Sequence, residues 1–82
     1  MTPITTAQAM ALLAETFDEP VEGLSAATAR DAVAGWDSMG ALSLMAELDE
    51  RFDIELTADA SRSMARIGDV LALLRQHGAL ID

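Results

Sequence analysis

The apolar residues of this 82-residue chain recur at the spacing of an α-helix. The clearest case is a stripe of four residues on one predicted helical face: Ile67, Val70, Leu71 and Leu74. They follow the i, i+3, i+4, i+7 pattern of an amphipathic helix, and Gly78 comes after them as a stop signal. Apolar residues make up 51% of the chain and are mostly Ala, Leu and Met, which favour helices over strands. The sequence therefore predicts an all-α fold.

The first helix is predicted to begin after Thr5, because Thr5 and Gln8 have the spacing of a capping box. It ends near Asp18, and no clean period holds from there to about residue 35. We expect this long loop to hold a helical turn within residues 26–32 and to serve function, as long loops in small domains often do. Three apolar residues are expected to pin it to the core: Val21, Leu24 and Val33.

The second helix is predicted to start at Asp37 or Ser38 and to run to about Phe52, with Asp37 as the N-cap. A short third helix is expected over residues 57–63. The predicted fold class is a small four-helix bundle of three longer helices and a short third one, with the long loop between helices I and II. Residues 1–82 are expected to form a single domain.

The chain is strongly acidic, with a net charge of −9 from fourteen acids and five arginines. Such a field repels phosphate backbones and anionic lipids and attracts basic protein surfaces, so we expect neither nucleic-acid nor membrane partners. The N-terminus shows no secretory signal, and no apolar run approaches the ~20 residues of a membrane helix. A cytoplasmic monomer is the expectation.

The second helix carries apolar residues on two faces. One face is the predicted core face, formed by Ala41, Leu44, Met45, Leu48 and Phe52. The other is a second stripe of three residues bordered by three acids: Met39, Leu42 and Ala46, then Glu47, Asp49 and Glu50. Because both faces of one helix are rarely buried in a domain this small, the stripe and its acids are predicted to bind a partner.

Ser38 stands at the positive end of this helix, beside the second stripe. A helix N-terminus offers free N–H groups and a favourable dipole to a phosphate, so a phosphodiester on Ser38 would be well placed there. Asp-Ser at a helix start is also an ordinary capping pair, and Met39 and Leu42 could simply pack against the long loop. The helix pattern alone leaves both interpretations open.

Three segments in order resemble the acyl carrier protein family: a D-S-[L/M] motif opening helix II, an F-[D/G]-[I/V]-E segment, and an [I/V]-G-D segment opening helix IV. Here they read Asp37-Ser38-Met39, Phe52-Asp53-Ile54-Glu55 and Ile67-Gly68-Asp69, with agreeing spacings. The resemblance covers nearly the whole chain. It implies the same four-helix fold and a carrier rather than an enzyme.

The resemblance implies that Ser38 receives 4′-phosphopantetheine from coenzyme A through a phosphopantetheinyl transferase that uses Mg²⁺. Asp37 would cap the helix and help the transferase engage, and Met39 would contact partner enzymes. Acyl or aminoacyl groups would travel as thioesters on the terminal sulfur to loading and processing enzymes of fatty-acid, polyketide or specialised biosynthesis. The chain has no cysteine, and the arm would supply the thiol.

The sequence departs from the fatty-acid carriers at three positions. Gly40 and Ser43 replace acids expected on an exposed face, and Trp36 precedes the Asp-Ser pair, which is more like specialised or aminoacyl and peptidyl carriers. Trp36 is expected to anchor the loop or core. For Gly40 we favour close approach of a partner's backbone over drift in a frayed first turn.

An alternative function is an unmodified acidic helical module that binds a basic partner through the same stripe. No nucleophile–base–orienter set supports an enzyme. A zinc site is not expected either, because His77 is the sole histidine and cysteine is absent.

Overall fold

The computed structural model describes residues 2–82, and these residues contain four α-helices. The helices are α1 (Thr6–Phe17), α2 (Ser38–Phe52), α3 (Ala58–Ser63) and α4 (Ile67–Gln76), with 3-10 turns at Val21–Gly23 and Arg30–Ala32. Within this range there is no strand, only two isolated β-bridges. The predicted all-α fold with a short third helix is confirmed.

The helix boundaries follow from local capping. At the start of α1, the Gln8 N–H donates to Thr5 Oγ1 at 3.1 Å and the Thr5 N–H donates to Gln8 Oε1 at 2.9 Å, which completes the predicted capping box. Both α1 and α2 end at an aspartate with left-handed backbone, Asp18 at φ 54° and Asp53 at φ 55°. Aspartate tolerates this conformation better than most residues, so both helices can end at these positions without a glycine.

One hydrophobic core unites α1, α2 and α4. It takes its largest fully buried side chains from every helix except α3, together with one residue of the α2–α3 connection: Leu13, Phe17, Leu44, Leu48, Ile54, Ile67, Val70 and Leu74. The radius of gyration is 11.4 Å, close to the roughly 12 Å expected for a compact chain of this length. The predicted core face of α2 is buried except for Met45, which is half-buried.

The long loop between α1 and α2 is ordered by pairing with the start of α4. The Arg30 N–H donates to Ala65 O at 2.8 Å, the Ile67 N–H to Thr28 O at 3.0 Å, and the Gly68 N–H to the carbonyl of Ala26 at 2.8 Å. Two amides at the open end of α4 thus find their acceptors in the loop. The helical turn expected within residues 26–32 is present as the 3-10 turn at Arg30–Ala32.

Of the three apolar residues expected to pin the loop, Val33 is buried and Leu24 half-buried, whereas Val21 is 43% exposed. The prediction for Val21 is therefore wrong. Val21 opens a 3-10 turn directly after Pro20, and the tight turn faces this side chain toward solvent.

The segments near both ends of the chain also lie together. The Ile4 N–H donates to Ala79 O at 2.8 Å, and the Ile81 N–H donates to Ile4 O at 3.0 Å. Asp82 Oδ1 accepts from the Thr6 N–H at 2.7 Å and also from the Thr6 hydroxyl. These two hydrogen bonds lower the pKa of the Asp82 carboxyl. Among the helices of residues 2–82, none has the length and apolar character needed to span a bilayer.

Candidate functional site

The N-terminus of α2 is fixed by Asp37. Its carboxylate accepts from the Gly40 N–H at 2.9 Å, and its carbonyl accepts from the Ala41 N–H at 2.8 Å. Asp37 is therefore the N-cap, as predicted, and Ser38 is the first helical residue. Ser38 is exposed. Within residues 2–82, the amides of Ser38 and Met39 have no hydrogen-bond acceptor, as the first turn of a helix leaves them free.

Two glycines set how closely this end of α2 approaches α1. A Cβ on Gly35 would lie 1.7 Å from the Phe17 carbonyl oxygen, and a Cβ on Gly40 would lie 1.9 Å from the carbonyl oxygen of Gly35. Backbone packs on backbone at both positions, which only glycine permits. The turn that carries Asp37 and Ser38 is thus pressed against the C-terminal end of α1.

The structure corrects the interpretation of Gly40. Gly40 is buried rather than exposed, and the backbone that approaches it closely is that of the chain's own Gly35. Neither a partner's approach nor drift in a frayed turn accounts for it. Ser43, the other departure from the fatty-acid carriers, does lie on the exposed face of α2.

Trp36 anchors the same turn from inside, as the sequence predicts. Trp36 is 4% exposed, and its ring stacks on Phe17 with ring centroids 4.9 Å apart and an interplanar angle of 17°. The guanidinium carbon of Arg30 lies 4.9 Å from the Trp36 ring centroid. Because one aromatic residue touches both α1 and the loop, the two residues that follow it are held in a fixed position.

A cleft of about 300 Å³ opens beside Ser38, between α2, α3 and the end of the long loop. Its lining combines apolar, hydroxyl and guanidinium groups: Arg30, Ser38, Ala41, Leu42, Met45, Ala58, Ser61 and Arg62. A cleft of similar size, about 330 Å³, lies between α1 and the far end of α2 and is not lined by Ser38. What distinguishes the first cleft is therefore its lining rather than its volume.

The two arginines of this cleft are held differently. Arg30 Nη1 donates to the carbonyl oxygens of Ser61 at 2.7 Å and Met64 at 3.3 Å, at the end of α3. Arg62 is exposed and forms an ion pair with Asp59, one turn earlier on α3. The sequence carries no sign of this role for Arg30, because an arginine inside an aperiodic loop gives no signal of what the fold places next to it.

The second apolar stripe of α2 is open to solvent. Met39 is 71% exposed and Leu42 is 58% exposed, so neither packs into the long loop. Ala46, Asp49 and Glu50 are exposed as well. The structure thus brings the predicted docking residues to one surface, with one exception.

The exception is Glu47, which is half-buried and bonded to the chain's own Arg51, with 2.6 Å between Glu47 Oε2 and Arg51 Nε. The hydrogen bond and charge of Glu47 raise the pKa of the Arg51 guanidinium above its usual value. Part of the negative charge of Glu47 is therefore already balanced, and Asp49 and Glu50 are the acids freely presented next to the stripe.

The other two motif segments serve the fold. In the first, Asp53 provides the left-handed residue that ends α2, and Ile54 is buried in the core. In the second, Ile67 is buried, and a Cβ on Gly68 would lie 2.9 Å from the Ala26 carbonyl oxygen. Asp69 accepts from the N–H groups of Ala65 and Arg66 at 2.7 and 3.0 Å, which lowers the pKa of its carboxyl.

Comparison with known proteins gives no family for this chain: no model of a protein family matches it, and no curated protein matches it. The resemblance to acyl carrier proteins thus stands on the three sequence segments, and the role of each residue in them stays a prediction.

Proposed function

We propose that this chain is a carrier that holds acyl or aminoacyl groups as thioesters on a 4′-phosphopantetheine arm attached to Ser38. The observation that carries the proposal is the exposed Ser38 hydroxyl at the first position of α2. A hydroxyl buried in the core would be out of reach of any modifying enzyme. The chain itself is proposed to do no chemistry.

The surroundings of Ser38 fit a phosphodiester. The amides of Ser38 and Met39 lack acceptors within residues 2–82, and the positive end of the α2 dipole lies at the same place. Arg30 lines the adjoining cleft and adds positive charge to an otherwise acidic molecule, whereas Arg62, on the same cleft, is paired with Asp59. When bound, the arm supplies a thiol whose thioesters react readily with nucleophiles, a group that the cysteine-free chain lacks.

Partner enzymes are proposed to dock on the exposed stripe of α2, next to the modified serine. Met39 and Leu42 offer apolar area, while Asp49 and Glu50 favour a basic surface on the partner. These partners include the phosphopantetheinyl transferase and the enzymes that load and process the cargo. Docking there brings the partner's active site within reach of an arm on Ser38.

The decisive experiment is a modification assay. Purified protein is incubated with coenzyme A, Mg²⁺ and a broad-specificity phosphopantetheinyl transferase, and its intact mass is measured. We expect one added phosphopantetheine on the wild type and on Ser43→Ala, a matched variant that removes an exposed serine of the same helix. Ser38→Ala should gain nothing. An unmodified wild type, or a modified Ser38→Ala, would refute the proposal.

The exposure of Met39 and Leu42 also supports a second function, because it does not depend on a modification. An unmodified interaction module would use the same stripe to bind a basic partner. The two functions can be distinguished by testing variants in the native host, under conditions where loss of the gene has a phenotype. A module keeps its activity with Ser38→Ala and loses it with Leu42→Asp, whereas a carrier loses its activity with Ser38→Ala. The mass of the protein purified from that host reports arm and cargo together.

A further inference from the structure

The fold holds the guanidinium of Arg30 in a fixed position but provides no carboxylate as its ion-pair partner. Its Nη1 donates to two carbonyls at the end of α3, and its guanidinium lies over the Trp36 ring. Within residues 2–82, no carboxylate oxygen lies within 4.0 Å of its guanidinium nitrogens, although the chain has fourteen acids. The half-buried guanidinium of Arg30 is thus held by neutral groups only.

The hydrogen bonds to Ser61 and Met64 explain part of this arrangement, since a cation near a helix C-terminus is favourable. They use Nη1 alone. Among the described residues, Arg30 Nε and Nη2 have no hydrogen-bond partner, so N–H donors of the guanidinium remain available. Arg62, on the same cleft, is exposed and already paired with Asp59. Arg30 is thus the positioned, unpaired charge of the cleft.

Ser38 and Arg30 line the same cleft. We propose that Arg30 binds the phosphate of a phosphopantetheine on Ser38 and so fixes the root of the arm against the cleft; this inference rests on the proposed function. Guanidinium groups bind phosphate oxygens with two parallel hydrogen bonds, and burial against Trp36 reduces the entropy lost on binding.

The phosphate, rather than a carboxylate of the cargo, is the anion that the geometry favours. A phosphodiester would be bonded directly to the Ser38 oxygen and would therefore stay next to the cleft that Ser38 and Arg30 line. The cargo lies at the opposite end of a flexible arm, whose ordering would cost conformational entropy. Arg30 therefore binds the phosphate at the attachment point rather than the cargo at the end of the arm.

The test compares unloaded and loaded protein in three versions: wild type, Arg30→Gln and Arg75→Gln. Arg75 is exposed in the last turn of α4 and does not line the cleft, so Arg75→Gln is the control for loss of one positive charge. Arg30→Gln also loses the bonds to Ser61 and Met64, and for this reason only the difference between the two forms of each version is interpreted.

In wild type and in Arg75→Gln, we expect loading to lower the unfolding equilibrium constant roughly fivefold to tenfold in urea titrations, the size of one partly exposed charge-assisted bond. In Arg30→Gln, loading should change it by less than about twofold. The ³¹P resonance of the loaded protein should also shift in Arg30→Gln and stay in place in Arg75→Gln. If Arg30→Gln does not fold, Arg30→Lys, which keeps the charge without the planar fork, should show a reduced effect in both measurements.

The outcomes separate this inference from the proposed function. If the transferase adds nothing to the wild type, both fall. If the wild type is loaded but the stabilisation and the ³¹P resonance are the same in Arg30→Gln as in wild type, only the role of Arg30 is overturned.

Discussion

Replacing Gly40 by alanine has two opposing effects on stability: alanine favours the helix, but its Cβ clashes with nearby backbone. Gly40 lies in the first turn of α2, where alanine is favoured over glycine by about 0.5–1 kcal/mol. Considered as a helix position alone, Gly40→Ala should stabilise the protein. The packing opposes this, because the new Cβ would lie 1.9 Å from the Gly35 carbonyl oxygen, whereas ordinary contact begins at 3.4 Å.

The carbonyl of Gly35 would have to retreat by about 1.5 Å, the difference between those two distances. It has little room to do so, since Gly35 itself is packed on the backbone of Phe17. Overpacking a tight contact costs about 1–3 kcal/mol, and more where backbone must move. The clash therefore exceeds the helix gain, and we expect a net destabilisation of about 1–2 kcal/mol. In a domain of this size the melting temperature would fall by roughly 4–16 °C.

Far-UV circular dichroism during heating and during urea titration measures the change. Ser43→Ala is the matched control, because Ser43 is exposed on the same helix and alanine there should add up to about 0.5 kcal/mol. If Gly40→Ala proves as stable as the wild type, the contact with Gly35 is not what keeps glycine at this position, and the account of how Asp37 and Ser38 are positioned is wrong.

Three further predictions concern the caps. Asp37→Ala should lower the free energy of unfolding by about 0.5–2 kcal/mol in urea titrations, because the Gly40 N–H loses its acceptor, and Asp37→Asn should restore most of that loss; equal loss in both would contradict the capping role. Asp53→Gly should leave stability unchanged or raise it by up to about 1 kcal/mol, since glycine adopts the left-handed backbone without strain; a clear loss would show that the Asp53 side chain matters. The hydrogen bonds that the carboxyls of Asp69 and Asp82 accept lower their pKa values in the folded protein. Their contribution to the stability of the folded state is therefore fully present above the unfolded pKa of about 3.9, and it is lost as the pH falls through the folded pKa. Urea titrations across this acid range should show a shallower loss of stability in Asp69→Asn and Asp82→Asn than in wild type, and identical slopes would disprove the assignment.

The helices could be predicted because their signals are local. Thr5 and Asp37 cap α1 and α2 where the sequence places them, and the apolar spacing of α2 and α4 separates buried from exposed faces. Asp18 and Asp53 mark helix ends through their own backbone preference. Each of these signals lies within one helix or at its ends, so no knowledge of the tertiary structure is needed.

The cleft and the close backbone contacts could not be predicted, because they depend on residues distant in the sequence. Gly35 meets the Phe17 carbonyl only after the loop turns back on α1, and Gly68 meets the Ala26 carbonyl only once the loop pairs with α4. Arg30 reaches the end of α3 across more than thirty residues. An isolated glycine or arginine in an aperiodic segment fits a turn, a cap or a solvated surface equally well, and only the folded chain decides between them.

The structure also divides the motif residues into those that the fold requires and those that it does not. Asp37 caps α2 and Asp53 ends it. Gly68 packs the start of α4 on the loop, and Asp69 accepts from the N–H groups just before α4, so folding alone is enough to explain these residues. Ser38 and Met39 are different, because both are exposed and their amides have no acceptor within residues 2–82. A large apolar side chain such as Met39, left 71% exposed at the start of a capped helix, adds nothing to the core. Folding explains most of the motif but not the serine and the residue beside it, which is why the proposed function is assigned to that pair.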